Sequence, residues 1–297
     1  MPILMPPRDA LEYRLFMKED LSQETFDLVI SADKSVGDAA RELFEYRDLF
    51  YILAWRDFKV RYKQTIIGAL WALLRPLLTM VVFTVIFGKI AGLPSPGDAP
   101  YAIMVFTAML PWYFFSSSFQ EGSNALVANA NMISKVYFPR IIVPVSSLFV
   151  NFIDFLISVG VLALIMMFYQ FSPSENIIFL PLFVILLALF TVGLSLWMSA
   201  LNVQYRDVRY VVPFIVQLGL YVSPVGFASS VVANDWRALY SLNPMVGVID
   251  GFRWCLIGGD ISFYWPGLWL SIVITALLLV TGCLFFLKTE RKFADVI

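Results

Sequence analysis

The stretch that decides the fold covers residues 55–88 and reads WRDFKVRYKQTIIGALWALLRPLLTMVVFTVIFG. Its second part, residues 66–88, is apolar and carries a single charge, Arg75. A helix needs about 20 predominantly apolar residues to cross the roughly 30 Å of hydrocarbon in a bilayer. This part is therefore long enough to span a membrane, and a basic, aromatic segment leads directly into it.

Five further apolar segments follow, which predicts an all-α integral membrane protein with six transmembrane helices. They cover residues 101–119, 141–168, 177–201, 210–223 and 266–287. The segment 210–223 is the weakest of them, because it is short and runs into Ser223-Pro224, which breaks a helix. The composition agrees with this prediction: 60% of the 297 residues are hydrophobic and 14% are charged, more apolar surface than a soluble core can bury.

The basic residues of the connections predict how the spans are oriented. With the N-terminus in the cytoplasm, three basic residues (Lys89, Arg237 and Arg253) lie on the far side and eleven lie on the cytoplasmic side. Those eleven are Arg56, Lys59, Arg61, Lys63, Lys135, Arg140, Arg206, Arg209, Lys288, Arg291 and Lys292. Because cytoplasmic connections carry the excess of Lys and Arg, we expect both termini in the cytoplasm.

The same sequence argues against several kinds of site. It has no His, and Cys255 and Cys283 lie in different apolar segments, so we expect neither a conventional zinc site nor a disulfide framework. It has no Gly-rich loop ending in Lys-Ser or Lys-Thr, so ATP would have to be hydrolysed by another chain. A membrane enzyme acting on lipid-linked sugars would need clustered carboxylates, whereas Asp154 is isolated and the acids of the connections are scattered.

The segment before the first span favours a helix that lies along the membrane surface. On a helix, Tyr51, Trp55, Phe58 and Tyr62 form one aromatic stripe with basic residues beside it, which is typical of a headgroup-level helix. The alternatives are a half-buried strand, which explains only residues 58, 60 and 62, or a linker. Such a helix is either a plain membrane anchor or a docking surface for a cytoplasmic partner.

Charged and aromatic residues inside the spans are the next candidates for function. A charge at mid-membrane costs about 2.5–3.5 kcal/mol or more, so we expect Arg75 and Asp154 to pair between the first and third spans. Most aromatic residues near span ends belong to interfacial belts. Trp71, Tyr113 and Tyr221 are the candidates for lining a path in which aromatic faces stack on sugar rings.

Two connections are unusual for simple turns. Residues 224–256 are too apolar for a solvated loop and too broken by Pro and Gly for a span, which favours two short helices that dip into the membrane. The alternative is an ordinary span followed by an amphipathic surface loop. Residues 121–140 read either as a surface loop or as a docking edge for a partner.

Four motifs together resemble the membrane permease subunit of ABC-type polysaccharide exporters, which move O-antigen, capsule or teichoic acid chains. They are RDFKVRYKQTIIGALWALLRPLL, MISKVYFPRIIVPVSS, LNVQYRDVRYVVPFIVQLGLYVSPV and LYSLNPMVGVIDGFRWCL, and they cover the chain from about residue 47 to its end. The charge distribution sets apart a polar, cytoplasmic N-terminal segment (1–47), and the resemblance implies an amphipathic interface helix (48–63) and a six-helix ABC-2 type transmembrane domain (64–297). Residues 1–47 fall outside the family pattern.

The resemblance also implies partners and roles. It implies a homodimer in the inner membrane whose channel carries a lipid-linked polysaccharide, with two ATPase subunits that bind ATP and Mg, so that this chain needs no cofactor and binds no nucleic acid. The residues that would couple it to the ATPase are Arg56, Lys59, Arg61, Ser134, Lys135 and Tyr137. Those that would form the external gate are Pro224, Asn243, Pro244, Asp250 and Arg253. The alternative is a permease of the same fold that exports a small amphiphile, such as a drug or lipid.

Overall fold

A computed structural model describes residues 37, 41, 44–63, 66–95, 99–136, 138–258 and 263–296, except for the side chains of residues 66–72, 291, 292 and 294–296. Most of the predicted N-terminal segment 1–47 lies outside these residues. The described part is helical, without a strand. Its α-helices are α1 (Arg47–Tyr62), α2 (Ile66–Phe83), α3 (Tyr101–Ala128), α4 (Ala130–Ile133), α5 (Ile142–Phe168), α6 (Leu180–Gln204), α7 (Val208–Val222), α8 (Asn234–Tyr240), α9 (Pro244–Leu256) and α10 (Trp265–Val296).

Five of these helices are long and apolar enough to cross a membrane. They are α2 with its continuation, α3, α5, α6 with the 3₁₀ turn before it, and α10. The predicted fifth span is represented by α7, which has only 15 residues and is shorter than a straight crossing needs. Its C-terminal end lies at Val222 because Pro224 follows, as the sequence indicates.

Helix α3 is the centre of the bundle. In its most apolar window 89% of the residues are buried, against 11–33% in the other four candidate spans. Helices α5 and α6 pack on either side of it, so α2, α5 and α6 turn their remaining faces outward. The predicted 121–140 loop is wrong at its start, because α3 continues without interruption through Ala128 and buries Leu126.

Helices α6 and α10 approach each other through glycine. A Cβ added at Gly193 would lie 2.7 Å from the backbone nitrogen of Leu279, and one added at Gly282 would lie 2.4 Å from the Gly193 carbonyl oxygen. Small residues permit such backbone contact between membrane helices, where van der Waals packing drives association. One turn further along, the rings of Trp197 and Phe285 stack with centroids 4.3 Å apart.

The far end of α2 departs from α-helical geometry. Residues Thr84–Ile90 form a π-helix that continues directly from α2. A π-helical turn holds about one residue more than an α-helical turn, is rare, occurs mostly as a single-turn bulge inside an α-helix, and is frequent at functional sites. The segment places Phe87 and Gly88 against other parts of the chain, as described below.

Candidate functional site

Five polar side chains join α1 to the bundle, and we call them the Arg61 cluster: Arg61, Tyr62, Glu121, Asn151 and Asp154. Arg61 Nη1 lies 2.8 Å from Asp154 Oδ2 and 3.0 Å from Asn151 Oδ1, and its Nη2 donates to Glu121 Oε1. Asn151 Nδ2 donates to Glu121 Oε2 at 2.9 Å, and the Tyr62 hydroxyl donates to Asp154 Oδ1. All four carboxylate oxygens therefore accept a hydrogen bond, and one guanidinium ties α1 to both α3 and α5.

Tyr62 is held in its protonated form within this cluster. Burial, and after it the hydrogen bond to Asp154, raises the pKa of its hydroxyl above the ordinary value. The hydroxyl therefore donates to the carboxylate throughout the physiological pH range.

The predicted pair between Arg75 and Asp154 is wrong. Asp154 is paired with Arg61, and among the described residues Arg75 forms no ion pair. The partner of Asp154 comes from outside the spans, because α1 packs against α5 and brings Arg61 to it. The underlying argument still holds, because the charge of Asp154 is compensated as its position requires.

Arg75 lines a polar cavity beside the Arg61 cluster. The cavity has a volume of about 320 Å³ and lies between α1, α2, α3 and α5. Tyr113, a predicted path residue, lines it and shares a hydrogen bond of 2.8 Å with Thr79 of α2. Tyr221 is not among its lining residues and is 62% exposed on α7, and the side chain of Trp71 lies outside the described residues.

The aromatic stripe of α1 is present as a run of stacked rings. The centroids are 6.3 Å apart for Tyr51 and Trp55, 5.2 Å for Trp55 and Phe58, and 4.8 Å for Phe58 and Tyr62. Lys59 Nζ lies 5.5 Å from the Trp55 ring centre, a cation–π distance. These contacts between residues three and four apart need a helix, so the strand and linker alternatives are wrong.

One predicted coupling residue of α1, Arg56, contacts the start of the 129–140 segment. Arg56 Nη2 donates to Asn129 Oδ1 at 2.9 Å, at the point where α3 ends. At the other end of the segment, the backbone N–H of Arg140 donates to Glu290 Oε1 of α10 at 3.0 Å. The segment is thus fixed at both ends to other helices.

Between these two attachments the segment presents polar side chains to the outside. Ser134 and Lys135 are exposed, and Tyr137 lies outside the described residues. Arg61, by contrast, turns its guanidinium into the bundle.

At the opposite end of the bundle, the buried segment 223–228 follows α7, and we call it the strap. Arg253 of α9 is 2% exposed and donates from Nη1 to the Phe227 carbonyl at 3.0 Å and from Nη2 to the Val225 carbonyl at 3.2 Å. Asp250 lies 3.9 Å from the same guanidinium. A buried backbone outside a helix needs such partners for its carbonyls, which accounts for this buried arginine.

Among the other predicted gate residues, Asn243 fixes the start of the strap. Asn243 accepts from the Met245 N–H at 3.1 Å and so caps α9, and its Nδ2 donates to Ser223 Oγ at 3.0 Å. Pro244 follows at the first position of α9, and Pro224 is buried within the strap. The structure therefore brings all five predicted gate residues to one region.

Sequence reasoning missed three functional candidates: Glu121, Asn151 and Tyr101. Asn151 and Asp154 are three residues apart and share a helix face, a signal that was available. Glu121 begins the predicted 121–140 loop, whereas the structure places it within α3. Tyr101 donates its hydroxyl to the Gly226 carbonyl of the strap, and nothing in the sequence marks that carbonyl as an acceptor.

Comparison with known proteins identifies the family. The sequence model of the ABC-2 type transporter family matches residues 48–257, which is most of the described bundle together with α1. The chain belongs to the ABC-2 type transporter family. It is a multi-pass inner-membrane protein of that family, in agreement with its five long apolar helices.

Several named proteins resemble the chain over most of their length. It is 28% identical over 253 residues to an O-antigen export system permease protein RfbA from Klebsiella pneumoniae, covering 84% of this chain and 95% of the relative. The RfbA protein of Myxococcus xanthus is 28% identical over 259 residues, which cover 86% and 98% of the two chains. The polysialic acid transport protein KpsM of Escherichia coli is 23% identical over 212 residues, or 70% and 80%.

Proposed function

We propose that this chain is the permease subunit of an ATP-driven exporter that moves a polysaccharide, such as lipid-linked O-antigen, across the inner membrane. The observation that carries this proposal is the agreement between the family match over residues 48–257 and relatives named for O-antigen export and polysialic acid transport. The chain performs no covalent chemistry. Its work is to provide a path and to change conformation.

The partner that supplies energy is an ATPase, as the family implies, and it docks on the end of the bundle that carries α1 and residues 129–140. This end exposes Lys59, Ser134 and Lys135. The bonds from Arg56 to Asn129 and from Arg140 to Glu290 support the assignment, because they join α1, the 129–140 segment and α10 into one surface. A push on that surface is therefore delivered to several helices together.

The basic residues of the connections support one membrane orientation for this arrangement. Both termini lie in the cytoplasm with the docking end, and the strap lies on the external side with α8 and α9, which dip into the membrane and close the path. Helix α7 is the sixth crossing, and the buried strap extends it. The distribution of eleven cytoplasmic against three external basic residues supports this arrangement.

A channel for the polymer forms between two copies of the chain. The polar cavity beside the Arg61 cluster supports a hydrated route, because Arg75 and Tyr113 line it and Arg75 has no ion partner among the described residues. A charge in that position is stable where it meets water or a polar ligand. Tyr113 supplies an aromatic face and a hydroxyl to the same space.

The test is export in a strain that lacks the chain and is complemented with variants. We expect the deletion to trap polysaccharide inside the cell, and wild type to restore it at the surface. Lys135→Glu should lower both export and co-purification of the ATPase, whereas the matched charge reversal Lys89→Glu, at the external end, should leave co-purification unchanged. Normal surface polysaccharide in the deletion strain would contradict the proposal.

A further inference from the structure

The strap is held by more than the gate residues, because the far end of the first span also packs on it. A Cβ added at Gly226 would lie 2.9 Å from two ring atoms of Phe87 and 3.1 Å from Phe83. These two rings meet edge to face, with centroids 5.3 Å apart. The π-helical end of α2 is therefore in direct van der Waals contact with the middle of the strap, which leaves no room for a side chain at residue 226.

Tyr101 touches both of these elements at once. Its hydroxyl donates to the Gly226 carbonyl, and its ring lies where a Cβ on Gly88 would be 3.0 Å away. Arg253 donates hydrogen bonds to the carbonyls on either side of Gly226, those of Val225 and Phe227. Three consecutive strap carbonyls are thus held by two side chains, one from α3 and one from α9.

The contacts of Phe87 with Gly226 and of Gly88 with the Tyr101 ring depend on the π-helical geometry. Phe87 and Gly88 lie within Thr84–Ile90, where each turn holds one residue more than an α-helix does. A change of this turn to α-helical geometry rotates the residues that follow it by about one position, or roughly 100°. Phe87 and Gly88 would then leave Gly226 and the Tyr101 ring.

We propose that Tyr101 and the π-helical turn of α2 are the release mechanism of the external gate: a shift at the end of the first span withdraws Phe87 and Gly88, frees Tyr101, and lets the strap leave Arg253. Tyr101 is a positioning residue in this proposal, and the moving part is the π-helical turn. The inference rests on the proposed function, because it explains how a motion begun at the docking end reaches the closure at the other end.

The test measures how easily the strap opens, without any polymer. Ala228→Cys places a thiol in the strap at a position that is 7% exposed, and its rate of reaction with a membrane-impermeant maleimide reports opening. The native Cys255 and Cys283 are both buried, and the labelling rate of the protein without Ala228→Cys measures their background reaction. Adding Tyr101→Phe removes only the hydroxyl, so the Gly226 carbonyl loses its donor while the ring stays on Gly88. We expect the labelling rate to rise roughly tenfold, which corresponds to about 1.4 kcal/mol.

A compensating pair separates direct contact from misfolding. Gly226→Ala pushes against Phe87 and should raise the labelling rate, whereas adding Phe87→Leu removes the ring atoms that clash and should bring the rate back toward the parent. Gly160→Ala is the matched control, since a Cβ there meets nothing within 4 Å.

The outcomes are distinct from those of the export test. Unchanged labelling in Tyr101→Phe, or no recovery in the Gly226→Ala, Phe87→Leu double variant, would overturn the release mechanism even if export is confirmed. Labelling from the cytoplasmic side alone would overturn the external position of the strap. If the export test failed but Tyr101→Phe still increased labelling, the release mechanism would stand and the proposed polysaccharide cargo would be wrong.

Discussion

Removing the guanidinium of Arg61 should loosen α1 from the bundle. In Arg61→Met the side chain keeps most of its length but leaves Glu121 and Asp154 without their shared cation. Loss of one partner from a fully buried ion pair costs about 3–5 kcal/mol, and loss from a surface pair costs about 0–1 kcal/mol. The side chains of Arg61, Glu121 and Asp154 are 30%, 41% and 26% exposed, which places this cluster between the two limits. We expect the free energy of unfolding to fall by about 2 kcal/mol.

The assay is unfolding of the purified protein in mixed micelles, followed by tryptophan fluorescence. Arg56→Met is the matched control, because Arg56 lies on the same helix and pairs at 2.7 Å with Asp57, its neighbour in sequence, at a more exposed position. It should cost less than about 1 kcal/mol. Arg61→Lys should fall between the two, since an ammonium cannot reproduce the fork that reaches Glu121 and Asp154 together.

A double-mutant cycle decides whether the cost arises in the cluster. Asp154→Asn removes one carboxylate that Arg61→Met would leave unpaired, so the double variant should be more stable than the sum of the single effects by about 1 kcal/mol. Additive effects, or an Arg61→Met variant as stable as Arg56→Met, would refute the argument that Arg61 tethers α1 to α3 and α5.

Three further predictions concern other parts of the chain. Gly193→Ala should separate α6 from α10 and lower the free energy of unfolding by about 1–3 kcal/mol, because the new Cβ meets the Leu279 backbone rather than a side chain that can move, whereas Gly160→Ala should change stability little. Arg253→Lys should increase Ala228→Cys labelling, because one ammonium cannot hold two carbonyls that a fork holds. Asn129→Ala should reduce the increase in the partner's ATPase rate that polysaccharide causes. The free energy of unfolding should change by less than about 1 kcal/mol, since the bond to Arg56 is exposed.

The sequence was most informative where a regular period carries the signal. The apolar lengths predict α2, α3, α5, α6 and α10, and the four-and-three spacing from Tyr51 to Tyr62 predicts the stacked face of α1. Both signals depend on local helix geometry, which is the same wherever the helix lies. The short α7 also follows from the sequence, because Pro224 restricts the residue before it.

The partners of buried charges were less predictable, for a physical reason. A buried arginine can be compensated by a carboxylate or by backbone carbonyls, and carbonyls occur at every position. Arg253 therefore could be assigned to the gate but not to the Val225 and Phe227 carbonyls. The sequence predicts that Asp154 has a cationic partner. Whether that partner is Arg75 or Arg61 depends on how α1 packs against α5, and the depth of a residue along its own span does not reveal this packing.

The position of α2 explains how two distant sets of contacts can act together. Near its start, the Arg61 cluster fixes the preceding helix α1 to α3 and α5, and at its end Phe87 packs on Gly226 of the strap. Between them the Thr79 hydroxyl donates to the Arg75 carbonyl, so the bond between Thr79 and Tyr113 has the Tyr113 hydroxyl as its donor. A shift of α2 along α3 must break that one side-chain bond, worth about 1 kcal/mol, before Phe87 can leave the strap. In the proposed mechanism we therefore expect α2 to move and α3, the most buried helix, to stay in place.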